Sequence, residues 1–261
     1  MARKQTYRSK QLAKLEESGE ALPRGQRKIP VPIDPALQES FLEGRVILIN
    51  KEQHWTSFDV VRKLRGLIRI KKIGHAGTLD PLATGLLIVC TGAFTKKITD
   101  YMAQEKEYTG TFTLGAVTPT YDLESLPEQA KDYSFVTDDL LARTAERFRG
   151  ELDQYPPVYS AIKKEGVALY ELARRGKEVE LEARRIHIKE FEITQVNLPL
   201  VHFRVVCSTG TYIRSLAHDF GAALGCGAYL SGLCRTRIGE FGLKDALTME
   251  EFEKTLLVTG S

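Results

Sequence analysis

The order of strand and helix patterns along the chain constrains the fold more than any other feature of the sequence. The segment "RRIHIKEFEITQVNLPLVHFRVVCSTG" indicates two consecutive strands, joined near Asn197–Pro199, with no helix between them. A helix pattern, "TDDLLARTAERFRG", has Thr137 as its cap and Gly150 as its end. Because strands and helices mix without strict βαβ alternation, we predict an α+β fold with one large mixed sheet.

The remaining elements follow from apolar periodicity and capping residues. The helix pattern "TSFDVVRKLRGL" begins after Thr56, and Asp59 completes a capping box three residues later. Strands are indicated by "GRVILIN", by Leu86–Cys90, by "KEYTGTFTLGA" and by "YLSGLCRTRIGEF". Two more helices are indicated by "TYIRSLAHDFGAALG" and by the short terminal segment "TMEEFEKTL".

Size and composition are typical of a globular protein. The chain has 261 residues, 43% of them hydrophobic, which allows one large domain or two small ones. The longest apolar run, Leu86–Cys90, is far shorter than the roughly 20 residues that cross a membrane. The N-terminus has no apolar segment typical of a secretory signal, and the four cysteines form no CxxC pair. We therefore expect a cytoplasmic protein with reduced, mostly buried thiols and no membrane span.

Positive charge is concentrated at the N-terminus. The formal net charge of the chain is +3, but residues 1–30 contain eight Lys/Arg against three Glu, a net charge of +5. Prolines recur at positions 23, 30, 32 and 35, so we expect a flexible basic extension over residues 1–43, with no packed core up to about residue 40. Contact with a polyanion and a merely solvated tail both explain this composition.

The stretch "GHAGTLDPLATG", Gly74–Gly85, places one carboxylate on a tight loop. Pro81 favours an extended conformation at Asp80, and the glycines allow a sharp turn or the close approach of a ligand. A metal site needs further ligands, and the loop adds only His75. A nucleophile elbow and a Walker lysine are also missing. From the residues alone, a reactive carboxylate and a turn-forming aspartate are both open.

The segment from Tyr155 to Arg185 differs from the rest because aromatic residues are interleaved with Lys and Arg. This composition suits RNA, whose splayed bases stack on rings while its phosphates need cations. Five glutamates are mixed in, so an ordinary solvated helical hairpin explains the composition as well.

Several segments, taken together and in order, resemble the TruB-type tRNA pseudouridine synthases, a family that includes the dyskerin-like enzymes. The family's catalytic motif is similar to "GHAGTLDPLATGLL". The other similar segments are "NKEQHWTSFDVV", "KEYTGTFTLGAVTPTYDLE", "PPVYSAIKKEGVALYELARRG" and "CSTGTYIRSLAHDFGAALGCGAYLSGLCRTRIGEF". The resemblance covers about residues 44–256. It implies the pseudouridine synthase fold, a mixed and mostly antiparallel sheet flanked by helices, with an RNA-binding thumb insertion.

The resemblance also implies roles for individual residues. Asp80 corresponds to the catalytic aspartate, Tyr108 to the tyrosine that stacks on the target uracil, and Arg214 to the arginine that pairs with the aspartate. Substrate-binding positions match His75, which holds the RNA after base flipping, Leu233, which packs near the base, and Lys51, Tyr212 and Asp122. No cofactor and no metal are implied, since the isomerisation gains no atom and involves no redox change.

The implied function is isomerisation of uridine to pseudouridine at position 55, in the T-loop of tRNA. The partner is then the T-arm of tRNA; no obligate protein partner is implied, and we expect a monomer. The expected organisation is a catalytic domain at residues 44–261, with a thumb-like segment at about 155–185 and no C-terminal PUA domain. The same chemistry on another T-loop-like RNA, and a non-catalytic tRNA-folding module, are the alternatives.

Overall fold

A computed structural model describes residues 33–159, 163–164, 167–168 and 181–256. These residues form two compact units. The first unit comprises the described residues up to Tyr108 and from Leu233 onward, and the second unit comprises those from Thr109 to Gly232. Most of the predicted thumb and most of the predicted N-terminal extension lie outside the described residues.

Helices and strands follow each other irregularly, as the sequence predicts. The α-helices of the described residues are α1 (Pro35–Glu43), α2 (Ser57–Ile68), α3 (Ile98–Ala103), α4 (Asp138–Glu146), α5 (Ile213–Leu224) and α6 (Met249–Thr255). Their strands are β1 (Val46–Lys51), β2 (Ile73–His75), β3 (Thr84–Thr91), β4 (Lys106–Leu114), β5 (Gly150–Gln154), β6 (Lys163–Lys164), β7 (Val167–Ala168), β8 (Arg184–Asn197), β9 (Leu200–Cys207), β10 (Ala228–Ile238) and β11 (Phe241–Gly242).

Nine of these strands belong to one mixed sheet. The strand order is β1-β3-β10-β4-β9-β8-β5, with β2 paired to β3 and β11 paired to β10, while β6 and β7 form a separate pair. The pairs β1–β3, β2–β3, β5–β8 and β8–β9 are antiparallel, and β10 runs parallel to β3. The α+β fold with a mixed, mostly antiparallel sheet is therefore confirmed.

In the first unit, α2 packs an apolar face against the sheet. Its buried residues recur at helical spacing, and with those of β1 and β3 they form one core cluster that includes Val60, Leu64, Ile68, Ile49 and Val89. The capping box predicted at the start of α2 is present, with the Thr56 hydroxyl accepting from the Asp59 N–H and the carboxylate accepting from the Thr56 N–H.

The expectation of no packed core before about residue 40 is wrong for the part of the extension that the structure describes. Helix α1 begins at Pro35, after Asp34, whose carboxylate accepts from the Ala36 N–H at 2.7 Å. Ile33 and Phe41 are buried in the core of the first unit. Proline suits the first helical position because that N–H has no partner in a helix anyway, so "DP" here starts a helix instead of breaking one.

In the second unit, β8 and β9 form the predicted pair of consecutive strands around residues 198–199. Phenylalanine rings fill the core beneath them, and the rings of Phe112 and Phe203 stack with their centroids 4.1 Å apart. Phe191 and Phe220 pack around this pair. Apolar residues at alternate positions of β9 supply the inward face, as strand periodicity requires.

Helix α4 ends earlier than the sequence predicts. Thr137 caps it as expected, with its hydroxyl accepting from the Leu140 N–H, but the helix stops at Glu146. The next backbone N–H groups bond only three residues back, which tightens and ends the last turn. Gly150 adopts φ +89° and instead begins β5, a strand that the sequence analysis missed.

The cysteines match their prediction. All four are free thiols: Cys90, Cys207 and Cys226 are buried and Cys234 is partly buried. Burial raises the pKa of the Cys90 thiol to about 11, which keeps it protonated and unreactive at neutral pH. Among the described residues, no helix has the length and apolar character needed to span a membrane.

Candidate active site

The glycine-flanked loop leads from β2 to β3 and carries Asp80 at a turn. The Ala83 N–H donates to the Asp80 carbonyl at 3.1 Å, and the Asp80 side chain is partly buried. At the end of the loop, Gly85 adopts φ +102°, and a Cβ there would lie 2.4 Å from the Arg235 carbonyl oxygen. A side chain at this position would push β3 away from β10, so the close strand contact requires glycine.

Residues at the start of α2 hold the loop on both sides of Asp80. The Ser57 hydroxyl accepts from the Leu79 N–H at 2.9 Å, and the His54 N–H donates to the Pro81 carbonyl at 2.7 Å. Ser57 and Leu79 are buried. The backbone before Asp80 is therefore fixed to a helix that is itself anchored in the core, and the backbone after it is fixed to the segment that leads into this helix. Both contacts preorganise the carboxylate.

Lys51 lies beneath this loop with none of its surface exposed. Its ammonium group donates to the carbonyls of Glu52 at 2.9 Å and Trp55 at 2.7 Å, and lies 3.5 Å from that of Pro81. Burial lowers the pKa of Lys51 from 10.5 to about 8, while the nearby Asp80 carboxylate acts in the opposite direction. The structure thus brings together two of the residues singled out in the sequence.

Replacing Lys51 by methionine should remove a pH-dependent contribution to stability. Because folding lowers the pKa of Lys51 from 10.5 to about 8, the unfolded chain binds more protons than the folded chain between these values. Relative to Lys51→Met, the free energy of unfolding of the wild type should rise above pH 8, by at most about 1.4 kcal/mol per pH unit. Denaturant unfolding of both proteins between pH 7 and pH 10 measures this difference, and parallel curves would contradict the expectation.

A second buried cation, Arg235, was missed in the sequence. It lies on β10 with 1% of its surface exposed, and its guanidinium donates to the carbonyls of Leu86 at 2.8 Å, Gly77 at 3.1 Å and Thr78 at 3.5 Å. It therefore ties the first half of the loop to the sheet. The available signal was an arginine at the centre of the strand pattern "YLSGLCRTRIGEF", where a charge needs a specific set of partners.

The two cations occupy one row of the sheet. Lys51 on β1 and Arg235 on β10 are both opposite Gly85 of β3, one on each side. Directly opposite residues on neighbouring strands share a face, and the central glycine leaves the space between them open. The loop that carries Asp80 therefore leads into a row of the sheet that holds two buried cations.

Three more predicted residues belong to the same unit. His75 ends β2 and is partly buried; burial lowers the pKa of its imidazole and Arg235 acts in the same direction, so the ring is neutral at pH 7. Tyr108 lies on β4 with 8% of its surface exposed. Leu233 lies on β10, where its carbonyl accepts from the Thr84 hydroxyl at 3.3 Å, beside the end of the loop.

The remaining predicted residues lie in the second unit, where Arg214 and Asp122 form a buried ion pair. Their side chains are nearly inaccessible, and the Arg214 Nε and an Asp122 carboxylate oxygen are 3.7 Å apart. The guanidinium also donates to the carbonyls of Thr120 at 3.2 Å and Tyr159 at 3.1 Å. Asp122 in turn accepts from the Thr120 hydroxyl at 2.6 Å and from the Glu124 N–H at 2.9 Å. This network holds both charges in fixed positions.

Tyr212 caps the helix that carries Arg214. Its N–H donates to the Gln154 side chain at 2.8 Å, and the Gln154 amide donates back to the Tyr212 carbonyl at 3.1 Å. The second helical residue of α5 is Arg214, so this reciprocal pair fixes the start of the helix and the direction of the arginine. No local sequence pattern indicates this role of Gln154.

In chemical terms, the site offers a rigidly held carboxylate beside buried cations. Such a carboxylate can attack an electron-poor carbon or stabilise developing positive charge. Among the described residues, no cluster of His, Cys, Asp and Glu side chains is placed to hold a metal ion.

Comparison with known proteins assigns the family. The model of the TruB family pseudouridylate synthase N-terminal domain matches residues 65–213, and that of the tRNA pseudouridylate synthase B C-terminal domain matches residues 214–260. The chain belongs to the TruB family of pseudouridylate synthases. The loop with Asp80 lies within the first match, whereas Arg214 and Arg235 lie within the second.

Relatives of the TruB family match the chain over most of its length. The tRNA pseudouridine synthase B of Flavobacterium johnsoniae is 53% identical and covers 84% of this chain and 98% of its own. That of Phocaeicola vulgatus is 47% identical and covers 83% of this chain and 95% of its own. In the crystal structure of a Cbf5-Nop10-Gar1 complex, one chain matches with a TM-score of 0.66 and 27% identity; the match covers 87% of this chain and 61% of that one.

Proposed function

We propose that this protein isomerises uridine to pseudouridine in tRNA, at position 55 of the T-loop, and that it acts as a cytoplasmic monomer on the T-arm. The observation that carries the proposal is the loop of Asp80, fixed to α2 through Ser57 and placed over Lys51. The matching relatives named tRNA pseudouridine synthase B support tRNA as the substrate class.

The reaction breaks the bond between C1′ of the ribose and N1 of uracil, turns the base, and joins C5 to C1′. The proton on C5 leaves and a proton returns to N1, so atoms balance without a cofactor. An ionised Asp80 attacks C1′, adds to C6 of the ring, or stabilises positive charge at C1′ as the base leaves. Each of these routes needs the carboxylate charged and accurately placed.

The other site residues serve this carboxylate and the base. The target uridine must leave its stack to expose C1′ and C5, and the ring of Tyr108 then stacks on the uracil while Leu233 packs near it. His75, neutral at pH 7, holds the RNA around the flipped nucleotide. The resemblance to the family gives Arg214 the role of partner to the catalytic carboxylate, and within the second unit Asp122 and Tyr212 hold its side chain in a fixed position.

Tritium release from a tRNA transcript labelled at C5 of its uridines tests this function. We expect release close to one equivalent per tRNA, because one uridine loses the tritium on C5 when C5 forms its new bond to C1′. A transcript with cytidine in place of the T-loop uridine at position 55 should release none. Release from that control transcript would place the reaction at another uridine. Binding of tRNA without release would favour another T-loop-like RNA as substrate or a non-catalytic folding role.

A further inference from the structure

The outer face of α2 combines one exposed aromatic ring with a row of cations. Phe58, in the first turn, has 58% of its surface exposed, and the exposed Arg62 and Arg65 follow four and seven residues later. At about 100° per residue, these three side chains lie within roughly 60° of each other around the helix axis. The exposed cations continue beyond the helix at Arg69, Lys71 and Lys72.

This surface is unusual in the charge distribution of the chain. Residues 57–72 contain six Lys/Arg and one Asp, a net charge of +5, while the whole chain has +3. Outside this stretch and the basic residues 1–30, the chain has 23 Lys/Arg against 30 Asp/Glu, a net charge of −7. A cationic surface in an otherwise acidic protein attracts a polyanion locally instead of through the overall charge.

The same stretch is continuous with the candidate active site at both of its ends. Ser57, next to Phe58, accepts from the Leu79 N–H at 2.9 Å, one residue before Asp80. At the other end, Lys71 and Lys72 lead directly into β2, whose last residue is His75. Both ends of this surface therefore adjoin segments of the candidate active site.

Structural roles explain only part of the pattern. Arg62 pairs with Asp59 at 2.5 Å, and Lys63 pairs with Glu253, but exposed pairs of this kind contribute at most about 1 kcal/mol. Arg65 stabilises the carbonyl end of the helix by its charge. Lys71 and Lys72 lie past that end and make no ion pair with any described residue, and the Phe58 ring keeps 58% of its surface exposed.

We propose that this α2 surface, Phe58 with the cations from Arg62 to Lys72, binds the substrate RNA outside the flipped uridine. The cations contact successive backbone phosphates, and the Phe58 ring stacks on a base beside the site. The inference rests on the proposed function, because it requires RNA to be bound over Asp80.

Removal of three charges tests the phosphate contacts. In an Asp80→Asn background, which leaves the transcript unconverted, we compare Arg62→Gln/Arg65→Gln/Lys71→Gln with a control triple on α4. The control is Arg143→Gln/Arg147→Gln/Arg149→Gln, which removes the same charge from exposed positions around the end of another helix. It is also matched in ion pairing, because Arg143 pairs with Asp139 as Arg62 pairs with Asp59. Filter binding of an unmodified tRNA transcript at several salt concentrations gives the affinity and its salt slope.

We expect the α2 triple to bind at least about tenfold more weakly at low salt and to lose about 2 to 3 units of slope in log affinity against log salt. The control triple should change both quantities far less. Equal losses in the two triples would show general electrostatic attraction and would overturn the proposed surface, as would an unchanged affinity of the α2 triple.

The stacking role of Phe58 has a separate signature. Phe58→Ala should weaken binding at least about fivefold with an unchanged salt slope, since no charge is lost, and Phe58→Tyr should retain the wild-type affinity. Equal affinity of the alanine and tyrosine variants would refute the stacking contact.

In otherwise wild-type protein, the α2 triple should raise KM and leave kcat unchanged. If wild-type protein releases tritium and the α2 triple has the same KM and tRNA affinity as wild type, only this inference is refuted. If wild-type protein releases no tritium, the proposed function is refuted.

Discussion

Asp80→Asn is expected to reduce tritium release from tRNA by at least about 1,000-fold, because the amide can neither attack carbon nor stabilise positive charge as the carboxylate does. Asparagine has nearly the same shape, and the backbone contacts at Leu79, Asp80 and Pro81 that hold the loop do not involve the replaced group. The fold should therefore remain intact. Single-turnover tritium release with enzyme in excess measures the chemical step directly.

Two controls separate lost chemistry from lost structure. Thermal unfolding should give nearly the same midpoint for wild type and Asp80→Asn, and filter binding should give tRNA affinities within a fewfold of each other. The pKa of Lys51 supplies an internal check: the Asp80 carboxylate raises it against the effect of burial, so in Asp80→Asn this pKa should fall below its wild-type value of about 8. Activity within tenfold of wild type would remove Asp80 from the proposed mechanism.

Asp80→Glu tests placement rather than charge. The longer side chain keeps the carboxylate but moves it by about one bond length or more on a backbone that Ser57 and His54 hold in place. Since misplacement of a reacting group by about 1 Å costs on the order of 100-fold in rate, we expect a large but incomplete loss. A fully active glutamate variant would indicate that charge alone is sufficient.

Local signals predicted most of the elements of the described residues. The capping box at Thr56, the paired strands β8 and β9 and the end of α5 before Gly225 all depend on residues close together in sequence. Helix α1 was missed because Pro35 was taken as a breaker, although proline fits the first turn. Strand β5 was missed because its apolar alternation is weak, and its pairing with β8 decides its conformation.

The candidate site was predictable only in part, for a physical reason. Asp80 lies in a motif that the sequence displays, but Arg235 acts through the carbonyls of two loop residues and of Leu86 on β3, about 150 residues away in the chain. The row formed by Lys51, Gly85 and Arg235 exists because three strands align in one register, and no local pattern encodes that alignment. Gln154 likewise gains its role from a helix end far along the chain.

The buried pair of Arg214 and Asp122 gives the largest expected effect on stability. Arg214→Met removes the guanidinium beside a carboxylate with 4% of its surface exposed, and the free energy of unfolding should fall by about 3–5 kcal/mol. The loss reflects the buried charge left at Asp122, not the net value of the pair. Asp122→Asn should also destabilise the protein, because it leaves the buried guanidinium of Arg214 without the negative charge of Asp122.

The double variant Arg214→Met/Asp122→Asn distinguishes this cause from simple loss of packing. Because both charges are removed, the double variant should lose at least about 2 kcal/mol less unfolding free energy than the sum of the losses in the two single variants. If lost packing were the cause, the two losses would be additive. Asparagine retains an oxygen that accepts from the Thr120 hydroxyl and the Glu124 N–H, so this part of the network is retained. Denaturant unfolding of the four proteins measures the cycle, and strict additivity would contradict the argument.

The pH dependence of the Arg214→Met variant makes the same argument by a second route. A buried carboxylate without its guanidinium favours protonation in the folded state, so the folded variant binds more protons than the unfolded chain as the pH falls below neutral. Relative to wild type, the free energy of unfolding of Arg214→Met should therefore rise as the pH falls. The difference in unfolding free energy between the two proteins should become smaller from pH 7 to pH 5. The double variant Arg214→Met/Asp122→Asn has no carboxylate at this position. The difference between its free energy of unfolding and that of the wild type should therefore not become smaller toward acid pH in this way.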